Sequence, residues 1–431
     1  MRGRQILDSR GRPTVEAEVE LEDGTCGRAS VPSGASTGAA EAHELRDGSG
    51  DFYEGRGVLR AVAHVGGEIA ETLRGRDALE QRGVDELLVA LDGTEKLTRL
   101  GANAVLAVSL AACRASARAL KVPLYRRIAA LYGPEEVSMP LPMVNILSGG
   151  LHAELGMDVQ DFLFIPARAR TVAEAIEQAA RVRTAADRVA RERGMPTLLA
   201  DEGGLSPGLE SAREALEMFV ACIERAGLAP GEDAFIAVDV AASTLWDGAS
   251  RYHFEGEGRD YTGPELVELV EAWAREFPVV SVEDALGEEE WQDWKLLTER
   301  LGGSLQLVGD DLFTTNLGRV RRGIGEGVAN GVLVKLNQNG TLTGTLDVMR
   351  EARAHGYATV ISARSGETED SFIADLAVGT SAGQIKIGSL RCSERLSKYN
   401  QLLRIEELSR APFSGTSALA WGRGRGGWAT R

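Results

Sequence analysis

The chain has 431 residues, of which 43% are hydrophobic and 26% are charged, and these proportions are ordinary for a globular protein. Such a length suits a barrel with one additional module better than one small domain. The net charge of −16 argues against nucleic acid or an anionic membrane as the main partner.

The four cysteines are isolated in the sequence and show no metal-binding spacing: Cys26, Cys113, Cys222 and Cys392. We expect no signal peptide, and no apolar stretch approaches the length of about 18 residues that a membrane helix needs. We therefore expect buried thiols and a cytoplasmic protein that does not contact a membrane.

Residues 1–125 predict a small α+β capping domain. The segment TVEAEVEL alternates with a period of two and predicts a strand, and Asp23-Gly24 predicts a hairpin turn into a second strand, GRASV. Helical periodicity follows in VLRAVAHVGGEIAETL and in ANAVLAVSLAACRASARAL. The proline-rich segment YGPEEVSMPLP predicts the junction to the next domain.

Residues 135–410 predict an α/β barrel domain. The strands PMVNIL and DFLFIPA come first, two helices follow near residues 171–193 and 209–227, and strands and helices then alternate. Residues 411–431 are rich in Gly and Arg and lack periodicity. We expect this segment to be a disordered tail, since two RG dipeptides are weak evidence for RNA binding.

Charged residues recur where the apolar runs of this second domain end. Spaced about 20 to 45 residues apart, they are Asp239, Glu283, Asp310, Lys335, Arg364 and Lys386. A (β/α) barrel keeps its active site at the carboxyl ends of its strands, where these residues would meet. Buried charges need a partner or a metal. Three acids therefore predict a divalent cation, and a lysine opposite them predicts a base.

Three short motifs are ambiguous when each is taken alone. VPSGAS at 31–36 could be a flexible turn, DEGG at 201–204 could be a loop with a capping acid, and SGGLHA at 148–153 could be a turn before a structural histidine.

Together with other segments, these motifs stand in one order and spacing. The segments are DSRGRPTVE, VPSGASTG, AHELRDG, LGANAVLAVSLA, DEGG, VSVEDAL, LVGDDLF, VKLNQNGTLT, RSGETED, DLAVG and GQIKIGSL. In the order and spacing of these segments, the chain resembles the enolase family over about residues 4–410. The resemblance implies an enolase-like (β/α)8 barrel with an N-terminal α+β domain. The barrel would begin ββαα, with the second strand antiparallel to the first.

The resemblance also implies a reaction in which a proton is removed next to a carboxylate. Asp239, Glu283 and Asp310 match the metal ligands of the family, and two Mg²⁺ ions per active site are implied. The second ion would arrive with the substrate and bind Ser36. Lys335 matches the general base, and we expect nearby cations to lower its pKa.

Further residues match positions that contact substrate in the family: His152, Gln160, Asp161, Ser36, Arg364, Ser365 and Lys386. Arg364 and Ser365 resemble a phosphate clamp. Glu202 of DEGG matches the catalytic acid that helps a hydroxyl group to leave.

The departures from the family pattern lie on one side of the expected site. Ala363 stands where the family has histidine before RSGETED, and Asp161 stands where it has glutamate. Ser148 and Leu151 replace an asparagine and a serine of the NGGSHA loop, and Gly344 replaces the glutamate of TLTE. The residues that form an enolate are kept, whereas those around the leaving group have changed. The loss of a ring at position 363 predicts additional room.

We interpret this pattern as a specialised carbon–oxygen lyase or a derived enolpyruvyl-forming synthase. The carboxyphosphonoenolpyruvate synthase offshoot of the family, which belongs to phosphonate natural-product biosynthesis, fits the location of the changes. The alternatives are an ordinary phosphopyruvate hydratase, which converts 2-phosphoglycerate to phosphoenolpyruvate in glycolysis, and a non-catalytic enolase-like binding protein. The implied partners are a small phosphorylated or phosphonylated anion and, as in many enolases, a second copy in a homodimer or higher oligomer.

Overall fold

The structure is a computed structural model, and it describes residues 1–35, 37–48, 50, 52–133, 136–153 and 157–420. Its strands are β1 (Arg2–Leu7), β2 (Pro13–Glu20), β3 (Cys26–Ser30), β4 (Leu141–Ser148), β5 (Asp161–Ile165), β6 (Leu198–Leu199), β7 (Leu205–Ser206), β8 (Phe235–Asp239), β9 (Tyr252–Phe254), β10 (Arg259–Tyr261), β11 (Val279–Glu283), β12 (Gln306–Gly309), β13 (Gly331–Val334), β14 (Ala358–Ser362) and β15 (Gly383–Gly388). The helices are α1 (Leu59–His64), α2 (Ala70–Leu73), α3 (Gln81–Asp92), α4 (Ala102–Ala119), α5 (Leu124–Tyr132), α6 (Val172–Glu192), α7 (Ala212–Arg225), α8 (Gly263–Glu276), α9 (Trp291–Leu301), α10 (Leu317–Glu326), α11 (Leu336–Asn339), α12 (Leu342–Ala354), α13 (Phe372–Gly379) and α14 (Ser393–Ser409).

The N-terminal domain is a three-stranded antiparallel sheet, β1-β2-β3, packed against helices. Helix α4 is rich in Ala and Ser and is buried along most of its length, so it lies close against β3. A Cβ atom on Gly27 would be 2.1 Å from the carbonyl oxygen of Ala111 and 2.3 Å from the amide nitrogen of Ala115. Glycine at position 27 therefore allows the helix to approach the sheet.

The second domain is a closed barrel of eight strands. In order around the barrel they are β4, β5, β8, β11, β12, β13, β14 and β15, and β15 pairs with β4 to close it. Strand β5 is antiparallel to both β4 and β8, and the other neighbours are parallel. The predicted barrel and its reversed second strand are confirmed. The strands are buried apolar runs because helices and the barrel interior cover both faces.

Residues 411–420 close the bottom of the barrel and are ordered, which differs from the tail expected over 411–431. Leu419 is buried in the barrel interior, and Met139 forms a β-bridge with Phe413. Gln384 Nε2 donates to the Ala418 carbonyl at 3.0 Å. The apolar lower end of the barrel provides the core that this segment lacks by itself. The remainder of the expected tail, 421–431, lies outside the described residues.

Of the four cysteines, Cys113 and Cys222 are buried as expected, and burial raises the pKa of each thiol to about 12. Cys26 is half-buried and Cys392 is exposed, so the expectation of buried thiols was wrong for these two. Among the helices of the described residues, none combines the length and apolar character needed to cross a membrane.

Candidate active site

The charged residues predicted from the strand ends lie at one end of the barrel. Asp239 ends β8, Glu283 ends β11, Asp310 follows β12, Lys335 follows β13, Arg364 lies shortly after β14, and Lys386 lies within β15. Because β8 and β11 are parallel and in register, Asp239 and Glu283 stand side by side. The rim of the barrel therefore brings these side chains within reach of one another.

Lys386 is the centre of a buried charge cluster. Its Nζ donates to Asp239 Oδ2 at 2.7 Å and to the two carboxylate oxygens of Glu283 at 2.8 Å each. Burial alone would lower the pKa of Lys386, but the carboxylates of Asp239 and Glu283 outweigh it and raise this pKa well above its usual value. The pairing offsets the cost of burying three charges.

Lys335 pairs with Asp310, whose second oxygen accepts from Gln338 Nε2 at 2.9 Å. Burial would lower the pKa of Lys335, but the Asp310 carboxylate outweighs this effect and raises it. The expectation of a lowered pKa is therefore wrong for this arrangement. The physical reason is the direct contact with a carboxylate, which favours the ammonium form.

The donor set fits a hard divalent cation. Burial and the neighbouring Asp239 raise the pKa of Glu283 well above its usual value, so this part of the rim has more negative charge than it accommodates easily. Carboxylate oxygens are the ligands that Mg²⁺ prefers. Asp239, Glu283 and Asp310, which the sequence predicts as the metal ligands, could hold Mg²⁺ on this rim.

A tighter group of acids lies beside Asp310. Asp284, Asp310 and Asp311 offer ligand atoms within 4.8 Å of one another. The carboxylate of Asp284 already accepts from the amides of Asp310 at 2.9 Å and Asp311 at 2.7 Å. Asp284 therefore shapes the turn that presents Asp310.

Arg364 is held by residues from both domains. Glu41 of the N-terminal domain accepts from both terminal nitrogens of Arg364, at 3.0 and 3.2 Å, and Asn337 accepts at 3.0 Å. Arg10 Nη1 donates to the Ser365 hydroxyl at 3.3 Å. The expected phosphate clamp is thus a site between the N-terminal domain and the barrel rim.

The opposite wall contains His152, Asp161 and Glu202, whose potential ligand atoms lie within 4.8 Å of one another. His152 Nδ1 is 2.9 Å from Asp161 Oδ2. Burial would lower the pKa of His152, but Asp161 outweighs it and raises this pKa to about 9. Burial would raise the pKa of Glu202, but the charges of Arg395 and His152 outweigh it and lower this pKa. The wall therefore pairs a cationic imidazole with an ionised Glu202, whereas burial raises the pKa of Asp161 above its usual value.

Of the remaining predicted residues, Gln160 falls near this wall. Gln160 Nε2 donates to Asp239 Oδ2 at 3.2 Å, which connects the wall to the metal-binding acids. Ser36 lies outside the described residues. Leu151 is 58% exposed, and Ala363 is 4% exposed within the main apolar core, so Ala363 itself is covered.

Several residues of the site were missed in the sequence. Glu41 and Gln338 hold Arg364 and Asp310, and Arg395 lies buried behind the clamp. Glu41 directly precedes the segment AHELRDG, and Gln338 lies within VKLNQNGTLT, so both were next to recognised blocks. Their roles depend on contacts between distant segments, which spacing along the chain does not reveal.

Comparison with protein-family models gives two matches that together span most of the chain. The C-terminal TIM barrel domain of enolase matches residues 136–420. The N-terminal domain of enolase matches residues 1–128. With this coverage, and with a closed barrel that carries acids and lysines on its rim, the chain belongs to the enolase family.

Proposed function

We propose that this protein is a Mg²⁺-dependent enzyme that removes the C2 proton of a 2-phosphoglycerate-like acid and gives an enolpyruvyl product. The observation that supports this best is the buried cluster of Asp239, Glu283 and Lys386 beside the Lys335–Asp310 pair. Such a cluster is costly for stability, and strongly coupled charges of this kind concentrate at functional sites.

The substrate carboxylate and phosphate would be bound by cations of the rim. Arg364 and Ser365 would bind the phosphate, and Lys386 would contact the carboxylate. Although the net charge of the chain is −16, these fixed cations attract a small polyanion locally. Glu41 keeps the guanidinium of Arg364 in one orientation.

The Asp310 carboxylate favours the ammonium form of Lys335, so a cation bound at Asp310 would have to offset this charge before Lys335 can act as a base. In its neutral form Lys335 accepts the C2 proton at Nζ, and the electron pair of the C2–H bond moves into the carboxylate as an enolate. Asp239, Glu283 and Asp310 would hold Mg²⁺, which when bound stabilises the added negative charge. Lys386 contributes a second fixed positive charge beside it. Burial of these groups strengthens each interaction with the enolate.

We propose further that the product-forming half is specialised, as in a carboxyphosphonoenolpyruvate synthase. This is supported by Asp161, which is bound to protein groups, and by the changed residues Leu151 and Ala363. The alternative, an ordinary phosphopyruvate hydratase, is supported by Glu202, which is present and ionised on the leaving-group side.

The proposal extends to the setting of the enzyme. We expect a homodimer or higher homo-oligomer in the cytoplasm, with a second Mg²⁺ that arrives with the substrate and binds at Ser36. Chemical cross-linking or sedimentation of the purified chain measures the first of these, and Mg²⁺ titration with 2-phosphoglycerate measures the second.

The decisive experiment is exchange of the C2 proton of 2-phosphoglycerate for deuterium, followed by proton NMR in D2O with Mg²⁺. The wild-type chain should catalyse exchange, and Lys335→Ala should lose a factor of about 10² to 10⁴, because the base is gone. Lys295→Ala, which removes an exposed lysine of α9, is the matched control and should leave the rate unchanged. Absence of exchange in the wild type would contradict the proposed function.

The same sample distinguishes the two product-forming reactions. Phosphorus NMR should show little phosphoenolpyruvate from 2-phosphoglycerate alone, and a new phosphorus species once an activated phosphonoformate is added. Rapid formation of phosphoenolpyruvate without the second reagent would instead establish the hydratase.

A further inference from the structure

Asp161 is fully occupied by protein donors. Its Oδ1 accepts from Asn145 Nδ2 at 2.5 Å and from the Ser148 hydroxyl at 2.7 Å, and its Oδ2 faces His152 Nδ1 at 2.9 Å. The side chain has 0% exposed surface. A carboxylate with three donors and no exposed surface has little capacity left for a ligand.

The backbone fixes this arrangement. Asp161 is the first residue of β5, where it pairs with Ser148 of β4 on one side and with Asp239 of β8 on the other. The Ser148 hydroxyl also lies 3.2 Å from Asn145 Oδ1. Because two neighbouring strands pair with it, the main chain of Asp161 cannot shift toward the centre of the site without disrupting the sheet.

The DEGG loop, residues 201–204, covers Asp161 and its donors Asn145 and Ser148 from outside. A Cβ atom on Gly204 would be 2.3 Å from the Ser148 hydroxyl and 2.5 Å from Asn145 Oδ1. Any side chain at position 204 would therefore displace the donors of Asp161. The loop that carries Glu202 thus packs directly on the donors that fix Asp161.

We propose that Asp161 is a positioning residue: it does not contact the substrate, and it holds the His152 ring so that the other ring nitrogen, Nε2, faces the leaving-group side of the site. This rests on the proposed function, and it differs from the substrate-contacting role that the resemblance implies for this position. Ser148 belongs to this arrangement, because it supplies one of the three hydrogen bonds that hold the Asp161 carboxylate in place.

The proposal changes the expected chemistry of this wall. The groups available to a substrate are the donor His152 and the acceptor Glu202, whereas a site with glutamate at position 161 would offer a second acceptor. A wall with one donor and one acceptor favours an anionic group, such as a carboxylate or phosphonate. A wall with two carboxylates would instead favour a neutral hydroxyl group.

The first test needs no substrate. In ligand-free protein labelled with ¹⁵N-histidine, the His152 Nδ1–H should give a low-field proton resonance typical of a hydrogen bond to a carboxylate. Asp161→Asn should remove or strongly shift this resonance, and Asp158→Asn, in the same loop but bound to the Gly256 amide, should not. A resonance unchanged by Asp161→Asn would overturn the proposal, and this result does not depend on turnover.

The second test is a double-mutant cycle on kcat and KM for product formation from 2-phosphoglycerate with Mg²⁺, followed by phosphorus NMR, with an activated phosphonoformate added where the product requires it. Asp161→Asn should lower kcat/KM by about 10- to 100-fold, as loss of a supporting hydrogen bond does. His152→Gln should lower it at least as far, and the double variant should equal His152→Gln, because Asp161 acts through the ring. Losses that multiply would show that Asp161 contacts the substrate by itself and would overturn the proposal.

Two results separate this inference from the proposed function. A wild-type chain without C2 exchange but with the predicted histidine resonance would refute the proposed reaction and keep the His152–Asp161 arrangement. Exchange with multiplying losses would keep the reaction and refute the positioning role.

Discussion

Arg395 is a buried cation that supports the proposed phosphate clamp, Arg364 and Ser365, from behind. Its Nη1 donates to the carbonyl of Arg364 at 2.7 Å and to that of Ile387 at 3.1 Å, and its Nη2 donates to the carbonyl of Ser365 at 2.7 Å. The side chain has 0% exposed surface. One planar guanidinium therefore fixes the backbone on which the clamp is built, and its charge also keeps Glu202 ionised.

Replacing this residue should weaken both the fold and the clamp. Arg395→Lys keeps the charge but cannot reach three carbonyl groups at once, so we expect a loss of about 2–3 kcal/mol in the free energy of unfolding. KM for a phosphorylated substrate should rise more than kcat falls, since the clamp binds and does not react. Urea unfolding and steady-state kinetics measure these effects. The exposed neighbour Arg391, changed to Lys, should stay within about 0.5 kcal/mol of wild type, and equal losses at both positions would contradict this account.

At the residue scale, the sequence predicted the charged residues at the ends of strands but not the residues that bind and orient them. Asp239 and Glu283 were predictable because a charge after a buried apolar run is unusual. Asn145 and Ser148 were not assigned supporting roles, because an amide or hydroxyl side chain is common and its partner lies in another strand. The direction of the Lys335 pKa was missed for the same reason, since it depends on contact with Asp310.

Helix α13 carries a buried acid that joins three helices. Asp375 Oδ1 accepts from the Tyr125 amide of α5 at 3.2 Å, and Oδ2 accepts from Gln401 Nε2 of α14 at 3.1 Å. Burial raises the pKa of Asp375 to about 6. The folded state therefore binds this proton more tightly than the unfolded chain, in which the pKa is about 4.

This difference predicts a pH dependence of stability. Below about pH 4 the carboxyl of Asp375 is protonated in both the folded and the unfolded state, and its full contribution to stability is present. As pH rises from about 4 to about 6, the unfolded state loses its proton first, so the free energy of unfolding falls. Asp375→Asn should remove this loss and be more stable than wild type by about 2–3 kcal/mol at pH 7.5, with little difference near pH 3.5. Urea midpoints at the two pH values measure this. Asp77→Asn, at an exposed loop position, should show no such change, and a destabilised Asp375→Asn at pH 7.5 would refute the argument.

At the element scale, prediction worked where the burial pattern was regular. The apolar runs gave the barrel strands, and the reversed second strand was implied by the enolase resemblance. The short strands β6 and β7 and the ordered residues 411–420 were missed. Their order comes from packing against the barrel, which local composition does not encode.

At the scale of the whole molecule, the two domains contact each other beside the candidate active site. Ser33 and Gly366 exchange two backbone hydrogen bonds, at 2.8 and 2.9 Å, and Ser9 N donates to the Glu367 carbonyl at 2.7 Å. A Cβ atom on Gly366 would be 2.3 Å from a guanidinium nitrogen of Arg10, so glycine permits this approach. The segment that carries the clamp is thus bound directly to the N-terminal domain.

Two interdomain ion pairs differ in burial and form a matched comparison. Arg114 of α4 binds both oxygens of Asp370 at 2.5 and 2.6 Å, and these side chains are 17% and 8% exposed. Arg82 of α3 binds both oxygens of Asp347 at 3.0 and 2.7 Å, but these side chains are 54% and 32% exposed. The pairing geometry is similar, but the pairs differ in burial and in their other partners: the amides of Ser30 and Phe372 also donate to Asp370, and Arg350 also binds Asp347 at 2.6 Å.

The difference in burial predicts which of the two ion pairs stabilises the contact between the domains. Arg114→Met leaves the Asp370 carboxylate buried without its cation, and it should cost about 3–5 kcal/mol and lower turnover, because the clamp spans the domain boundary. Arg82→Met should cost less than about 1 kcal/mol, since water screens an exposed pair. Calorimetric unfolding should then show a lower and broader transition, or two transitions, for the Arg114 variant alone. Equal effects of the two substitutions would mean that the backbone bonds at Ser33 and Gly366, rather than the buried pair, couple the domains.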